Sequence, residues 1–335
     1  MYIEEAKFSL WCDFLERDFL DNGFKELLEN KIVNGATSNP AIFKSAFLTS
    51  PAYQDDIEKL KGKNPKEIYE ALAIKDIRKC ADMLTDLYQQ NDDGFVSIEV
   101  DPFLCDDAKG TIEEAKRLYQ EIAKKNVMIK IPATDAGFIA MEKLISEGMN
   151  INATLIFSPR QAESCLNAFE KGTKKFLEKN KNSKVPKAVI SVFVSRFDRK
   201  MDEALFERNI RGGLVGIMNA TKIYHMIEKR ALDNVRTLFA STGVKGDSFK
   251  PDYYVKNLLY KNSINTAPLD TIKAFVDTKN YEVIETPLSN DRIEEFFDVV
   301  KNQGFDMEKV YHELMQEGLV AFKDAFEEIL NTFKG

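Results

Sequence analysis

Lys130 stands inside Asn126-Val127-Met128-Ile129-Lys130-Ile131-Pro132, a stretch with the length and alternation of a buried strand. Val127, Ile129 and Ile131 take one face, and Met128 and Lys130 take the other. An ammonium in such a strand is costly unless it is paired or neutral. Two readings follow. One is a lysine at a sheet edge that reaches water. The other is a desolvated amine that attacks a carbonyl and forms a Schiff base. Polar residues elsewhere favour the second. Asp13, Asn39, Glu99, Asn152, Thr154, Ser191 and Ser241 all lie in or just after other strand-like stretches. Carboxyls can move protons, and amides both donate and accept hydrogen bonds. A hydrogen-bonded polar interior without chemistry is the competing account.

These residues need elements to hold them. The pattern predicts a first strand over 8–13, a helix over 17–30 and a second strand over 31–38 that ends at Asn39-Pro40. Residues from about 44 to 94 read as helical, with one long amphipathic helix over 65–90 that carries Ile68, Leu72, Ile77, Leu84 and Leu87. A third strand is expected over 95–100, a helix over 111–126, and then the Lys130 strand. The following helix is expected to start with Asp135 as its N-cap and to end near Gly148. A fifth strand over 151–156, a helix over 159–179, a sixth strand over 188–193, a seventh over 235–241 and an eighth over 263–266 complete the series. Two helices from about residue 290 close the chain.

Strands that alternate with helices make a parallel sheet. Eight such units fit a (β/α)8 TIM barrel of about 260 residues, with a helical insertion after the second strand and extra helices at the C-terminus. A single domain over 1–335 is expected, because no linker or low-complexity segment divides the chain. A doubly wound open sheet is the alternative, weakened because no GxGxxG follows the first strand. In a barrel alternate strand residues point inward, and catalytic groups gather at the C-terminal ends. Seven of the eight predicted strands supply an inward polar residue. Packing alone hardly explains that, since each would be buried against the others.

Composition narrows the function classes. The chain has 335 residues, 44% of them hydrophobic, enough for a large core. Its net charge of −7 is spread without a basic run, which argues against nucleic acid or an anionic membrane as partner. No apolar run is long enough to span a bilayer. The first residues lack the pattern of a secretory signal. Cys12, Cys80, Cys105 and Cys165 form no CxxC pair, as expected of reduced thiols in a cytoplasm. His225 and His312, the two histidines, are read as structural, so neither a His-rich metal site nor a His-dependent nucleophile is expected.

At these residues the sequence resembles the transaldolases, of the longer bacterial kind. Asn34-Gly35-Ala36-Thr37-Ser38-Asn39-Pro40 is similar to the family's first signature. Val127-Met128-Ile129-Lys130-Ile131-Pro132-Ala133-Thr134 is similar to the second, which carries the Schiff-base lysine. Ser97-Ile98-Glu99-Val100-Asp101 resembles the strand of the acid/base glutamate. Two further blocks, around Asn152-Ala153-Thr154 and Ser191-Val192-Phe193-Val194-Ser195-Arg196, resemble the family in the same order. There are departures. Ala36 and Ser38 replace the usual threonines, and Val192 and Ser195 replace a common proline and glycine. Where many relatives have Ser-x-Arg, this chain reads Ser241-Thr242-Gly243-Val244-Lys245, so Lys245 is the expected substitute cation.

The resemblance implies transfer of a dihydroxyacetone unit between sedoheptulose 7-phosphate or fructose 6-phosphate and an aldose phosphate, in the pentose phosphate pathway, without metal or cofactor. Lys130 would attack the ketose carbonyl. Glu99, through a water oriented by Thr154, would shuttle protons for dehydration, although a counter-ion to Lys130 is its rival role. Asp13 would take the proton of the C4 hydroxyl as the C3–C4 bond breaks. Asn39 and Asn152 would hold hydroxyls of the three-carbon unit. Arg196 and Lys245 would bind phosphate, with Ser191 and Ser241 beside them. A surface ion pair with Asp198 is the plain alternative for Arg196. Phe193 faces the site where the fructose-6-phosphate aldolases carry an acidic tyrosine. A related aldolase that frees dihydroxyacetone, and a non-catalytic sugar-phosphate-binding barrel, are the competing functions. A cytoplasmic monomer or homodimer is expected.

Overall fold

Eight short parallel strands follow one another around a ring that closes when β1 (Ser9–Cys12) pairs with β8 (Ile264–Ala267). Between them stand β2 (Gly35–Thr37), β3 (Phe95–Glu99), β4 (Val127–Pro132), β5 (Asn150–Ile156), β6 (Ala188–Phe193) and β7 (Val235–Ala240). The computed structural model describes residues 2–279 and 281–334. Closure rules out the open doubly wound sheet and gives the (β/α)8 barrel.

The period of two in each strand sorts its residues. Leu10, Ala36, Ile98, Ile129, Ile151, Val192 and Phe239 point outward and pack under the helices. Trp11, Phe95, Met128, Val189, Leu238 and Ile264 point inward and fill the lower half of the barrel. Each fully buried apolar side chain of this size contributes about 1.5–3 kcal/mol. One step further along the same inward face, the residues turn polar: Asp13 follows Trp11, Lys130 follows Met128, Ser191 follows Val189, and Thr266 follows Ile264. The apolar floor thus shuts one end, and the polar layer faces the mouth.

Several local expectations change. The helix after β1 runs through Arg17–Phe19 and Lys25–Glu29 with a π-helical turn, Leu20–Phe24, between them. The expected single helix over 65–90 is two helices, Pro65–Met83 and Thr85–Gln89. The break falls where Thr85 Oγ1 donates back to Ala81 O at 3.0 Å, a bond that competes with the regular ladder. Before them the insertion begins earlier than expected, with the Pro40–Thr49 helix. The helix after β3 covers Ala108–Ile122, not 111–126, and ends at Ala123 in the left-handed region. Asp135 is not an N-cap. Thr134 takes that place and accepts from Gly137 N at 3.0 Å, and Asp135 begins the helix Asp135–Ile145. Two helices, Ser195–Phe206 and Val215–Arg230, separate β6 from β7. The last two, Asn290–Asn302 and Met307–Thr332, fall where the sequence puts them.

Candidate active site

Register brings the central groups to one level. Glu99 on β3 is the partner of Lys130 on β4, and Lys130 is the partner of Asn152 on β5. All three side chains are buried, and Asn152 is fully so. Lys130 Nζ donates to the carbonyl of Ser38 at 3.1 Å and lies 3.4 Å from Glu99 Oε2. Glu99 Oε2 has no hydrogen-bond partner among the described residues, so the contact is an ion pair without hydrogen-bond alignment. The ring of Phe322, from the last helix, stands 5.5 Å from Nζ.

Burial governs the charge state of the acids. It pushes the Glu99 carboxyl up to about 7, against the opposing pull of Lys130. The Asp13 carboxyl is also raised by burial, countered by the charge of Lys130 and by the Thr37 hydrogen bond. Thr37 Oγ1 donates to Asp13 Oδ1 at 2.6 Å. That uses its single proton, so Thr266 Oγ1, also 2.6 Å away, is the donor to Thr37. A relay Thr266–Thr37–Asp13 thus fixes the carboxylate at the end of β1.

A second network fixes the amide. Asn152 Nδ2 donates to Ser97 Oγ at 3.0 Å, and Ser191 Oγ donates to Asn152 Oδ1 at 2.6 Å. Asn39 is the N-cap of the Pro40–Thr49 helix: its Oδ1 accepts from Ile42 N at 3.0 Å. Its amide nitrogen is the end left to meet a ligand. Thr154 is the next inward residue of β5 after Asn152. It is fully buried, and its Oγ1 has no partner among the described residues. Leu155, beside it, adopts φ +57° where the β5–β6 register slips.

Above Lys130 lies a cavity of about 160 Å³. Asp13, Asn39, Lys130, Asn152, Ser191, Phe193, Arg196 and Ser241 line it. Glu99 and Thr154 are buried and are not part of this lining. Arg196 is half-buried near the start of the Ser195–Phe206 helix, its guanidinium 5.3 Å from the Phe193 ring. Burial and the neighbouring Arg199 lower its pKa from the ordinary value. It forms no ion pair with Asp198. That carboxyl points inward, where it accepts from Gly216 N at 3.1 Å and Tyr254 OH at 2.9 Å, and burial raises its pKa to about 7. Ser241, in the left-handed region at φ +53°, has its Oγ 3.1 Å from Ser195 Oγ. Lys245 does not join this group. It is exposed on the loop after β7: Thr242 stays buried and donates to Asn265 Oδ1 at 2.9 Å, and the chain reaches the surface at Lys245. Arg196 and Lys130 are the cations that line the cavity among the described residues.

The sequence reading missed Thr37, Thr266, Ala41, Ala240 and Phe322 in this lining. Thr37 and Thr266 carried a usable signal, since each occupies an inward position near a strand end. Phe322 carried none. Neither histidine lines the cavity: His225 Nε2 is 2.8 Å from Leu288 O, and His312 is exposed. Among the described residues no group of three or more His, Cys, Asp or Glu side chains could hold a metal ion. A larger, open depression of about 440 Å³ on the outer surface, near Glu170, Lys174 and Leu232, has no converging groups of this kind. An amine, a carboxyl that titrates near neutrality, a relay-held carboxyl and a guanidinium around one cavity can form an imine, move its protons and hold an anionic tail.

Comparison with known proteins fits this geometry. Residues 10–333 match the family model described as transaldolase/fructose-6-phosphate aldolase. A protein named transaldolase from Campylobacter jejuni subsp. doylei is 50% identical over 330 residues, which is 97% of this chain and 99% of that protein. A protein of the same name from Helicobacter pylori strain P12 is 46% identical over 328 residues, covering 98% and 99%.

Proposed function

The chain belongs to the transaldolase/fructose-6-phosphate aldolase family, and we propose that it is a transaldolase. It moves a dihydroxyacetone unit from a ketose phosphate, sedoheptulose 7-phosphate or fructose 6-phosphate, to an aldose phosphate. The observation that carries this is the buried Lys130 amine, 3.4 Å from Glu99, facing a cavity with a guanidinium at its rim.

Lys130 attacks the C2 carbonyl, and loss of water from the carbinolamine gives the protonated imine. Glu99 serves this step as proton carrier, since a carboxyl near pKa 7 is present in both forms at neutral pH. Two buried oxygens with no hydrogen-bond partner among the described residues, Glu99 Oε2 and Thr154 Oγ1, support a water between them as the proton path. The imine draws electrons from the C3–C4 bond while Asp13 accepts the proton of the C4 hydroxyl. An aldose phosphate leaves. The enamine on Lys130 then attacks the second aldehyde, and hydrolysis frees the new ketose. Asn39 and Asn152 hold hydroxyls, and Arg196, with Ser191 and Ser241 near it, holds the phosphate. Four buried free cysteines support work in a reducing cytoplasm.

The test is reduction with borohydride in the presence of fructose 6-phosphate, followed by peptide mass spectrometry. Adduct on Lys130 is expected. Adduct on another lysine, or none, overturns the mechanism.

A further inference from the structure

We propose that Phe322 roofs the lysine-bound enamine against water, and so directs the intermediate toward transfer instead of release. The inference rests on the Schiff-base reading of Lys130 given above. Phe322 is 5% exposed, lines the same cavity as Asp13 and Arg196, and stands 5.5 Å from the Lys130 amine. It comes from the C-terminal helix, Met307–Thr332.

The helix is pinned closely enough for the ring to hold its place. Phe326, one turn on, meets Tyr69 edge to face at 4.9 Å. Tyr311 OH donates to Asn219 Oδ1 at 3.1 Å inside the protein. At Gly318, one turn before Phe322, a Cβ would come within 2.8 Å of Leu155 Cδ2 and 3.4 Å of Arg196 Nη1. The helix backbone therefore lies almost against the end of β5. Glycine at 318 lets it approach, and that approach sets the ring over the amine.

Chemistry gives the roof its task. Bond cleavage leaves a neutral enamine on Lys130. For release, water must give a proton to the enamine carbon, which makes an iminium. A second water then adds to the iminium carbon, the carbon–nitrogen bond breaks, and dihydroxyacetone departs from the regenerated amine. The net change is one water consumed, because the proton taken up by the enamine carbon is returned when water adds to the iminium. For transfer, the carbon must wait for an aldehyde. A phenyl ring has no proton to give and displaces the water that could. Removing the ring opens a space beside polar groups, which fills with water.

The experiment uses the full-length protein with Phe322→Ala and Phe322→Leu. Each is incubated with fructose 6-phosphate and no acceptor, and free dihydroxyacetone is measured per site that borohydride can trap on Lys130. Release per trappable site is expected to rise about tenfold in Phe322→Ala, equivalent to ~1.4 kcal/mol of barrier. A smaller rise is expected in Phe322→Leu, which retains most of the packing. A residue of purely structural importance would lower trapping and transfer together without raising release per site. Unchanged release in both variants, with Lys130 still trapped, overturns the roof. Failure to trap Lys130 in the unmodified protein overturns the Schiff-base reading instead.

Discussion

Glu99 and Lys130 are partners across the β3–β4 register, and inside the barrel their charged ends stand 3.4 Å apart. The backbone register sets which residues are partners, so that pairing survives substitution of either side chain. Activity is expected to show an inflection near pH 7, where the raised Glu99 carboxyl titrates. Glu99→Gln is expected to lower turnover by about 10²–10⁴-fold and to remove that inflection. A Gln variant with an unaltered pH profile would assign the inflection to another group. Stability has a definite sign here. The folded pKa of Glu99 is raised above 4.5, so its favourable contribution is full below 4.5 and fades as pH climbs through about 7. The unmodified protein should therefore lose stability relative to Glu99→Gln across that window, measured as thermal unfolding of both proteins at its two ends.

Arg196→Ala is expected to raise KM for phosphorylated substrates by about 10–100-fold, the range for losing hydrogen bonds to a charged group. The phosphate lies far from the breaking bond, so much of its binding is common to ground and transition states. Lys245→Ala should leave KM nearly unchanged, since Lys245 is exposed and outside the cavity. Steady-state kinetics with fructose 6-phosphate as donor decides both; an equal effect of the two substitutions would count against a phosphate site at Arg196 alone.

Phe193→Tyr tests a second aromatic residue in the lining that also holds Phe322. Phe193 lines the cavity and packs 5.2 Å from Phe157. A hydroxyl there adds a proton donor near the enamine. Free dihydroxyacetone from fructose 6-phosphate without acceptor is expected to increase, with transfer to erythrose 4-phosphate reduced. Fast acceptor-independent release by the unmodified protein would instead favour the aldolase function.

Gly35→Ala addresses the floor. A Cβ at position 35 would fall 2.6 Å from the Trp11 ring, which is fully buried and donates to Asp93 Oδ2 at 3.0 Å. Overpacking of this kind costs about 1–3 kcal/mol. Denaturant titration should show a lower midpoint with little change in KM, since neither residue lines the cavity. An unshifted midpoint would mean that the indole has room to move.

The sequence by itself determined the strands, their inward faces and the amine at their centre. A strand has a period of two, so Met128 and Lys130 must share a face whatever surrounds them, and the same rule put Ser191 with Phe193 and Asn152 with Thr154. The β/α alternation then left a closed parallel barrel as the economical arrangement. Local rules failed where side chains competed for one role. Thr134 caps a helix in place of Asp135, and Asn39 gives its oxygen to a cap and keeps only its nitrogen for a ligand. The tertiary structure alone decided the rest. Lys245 and Arg196 are both cations beyond strand ends, yet one loop turns outward and one helix turns in. Phe322 reaches Lys130 from the far end of the chain because its helix is laid across the barrel mouth. Strand alternation is set by backbone geometry between neighbours. Where a loop exits and which helix covers the mouth depend on packing among distant segments, and no local period records that.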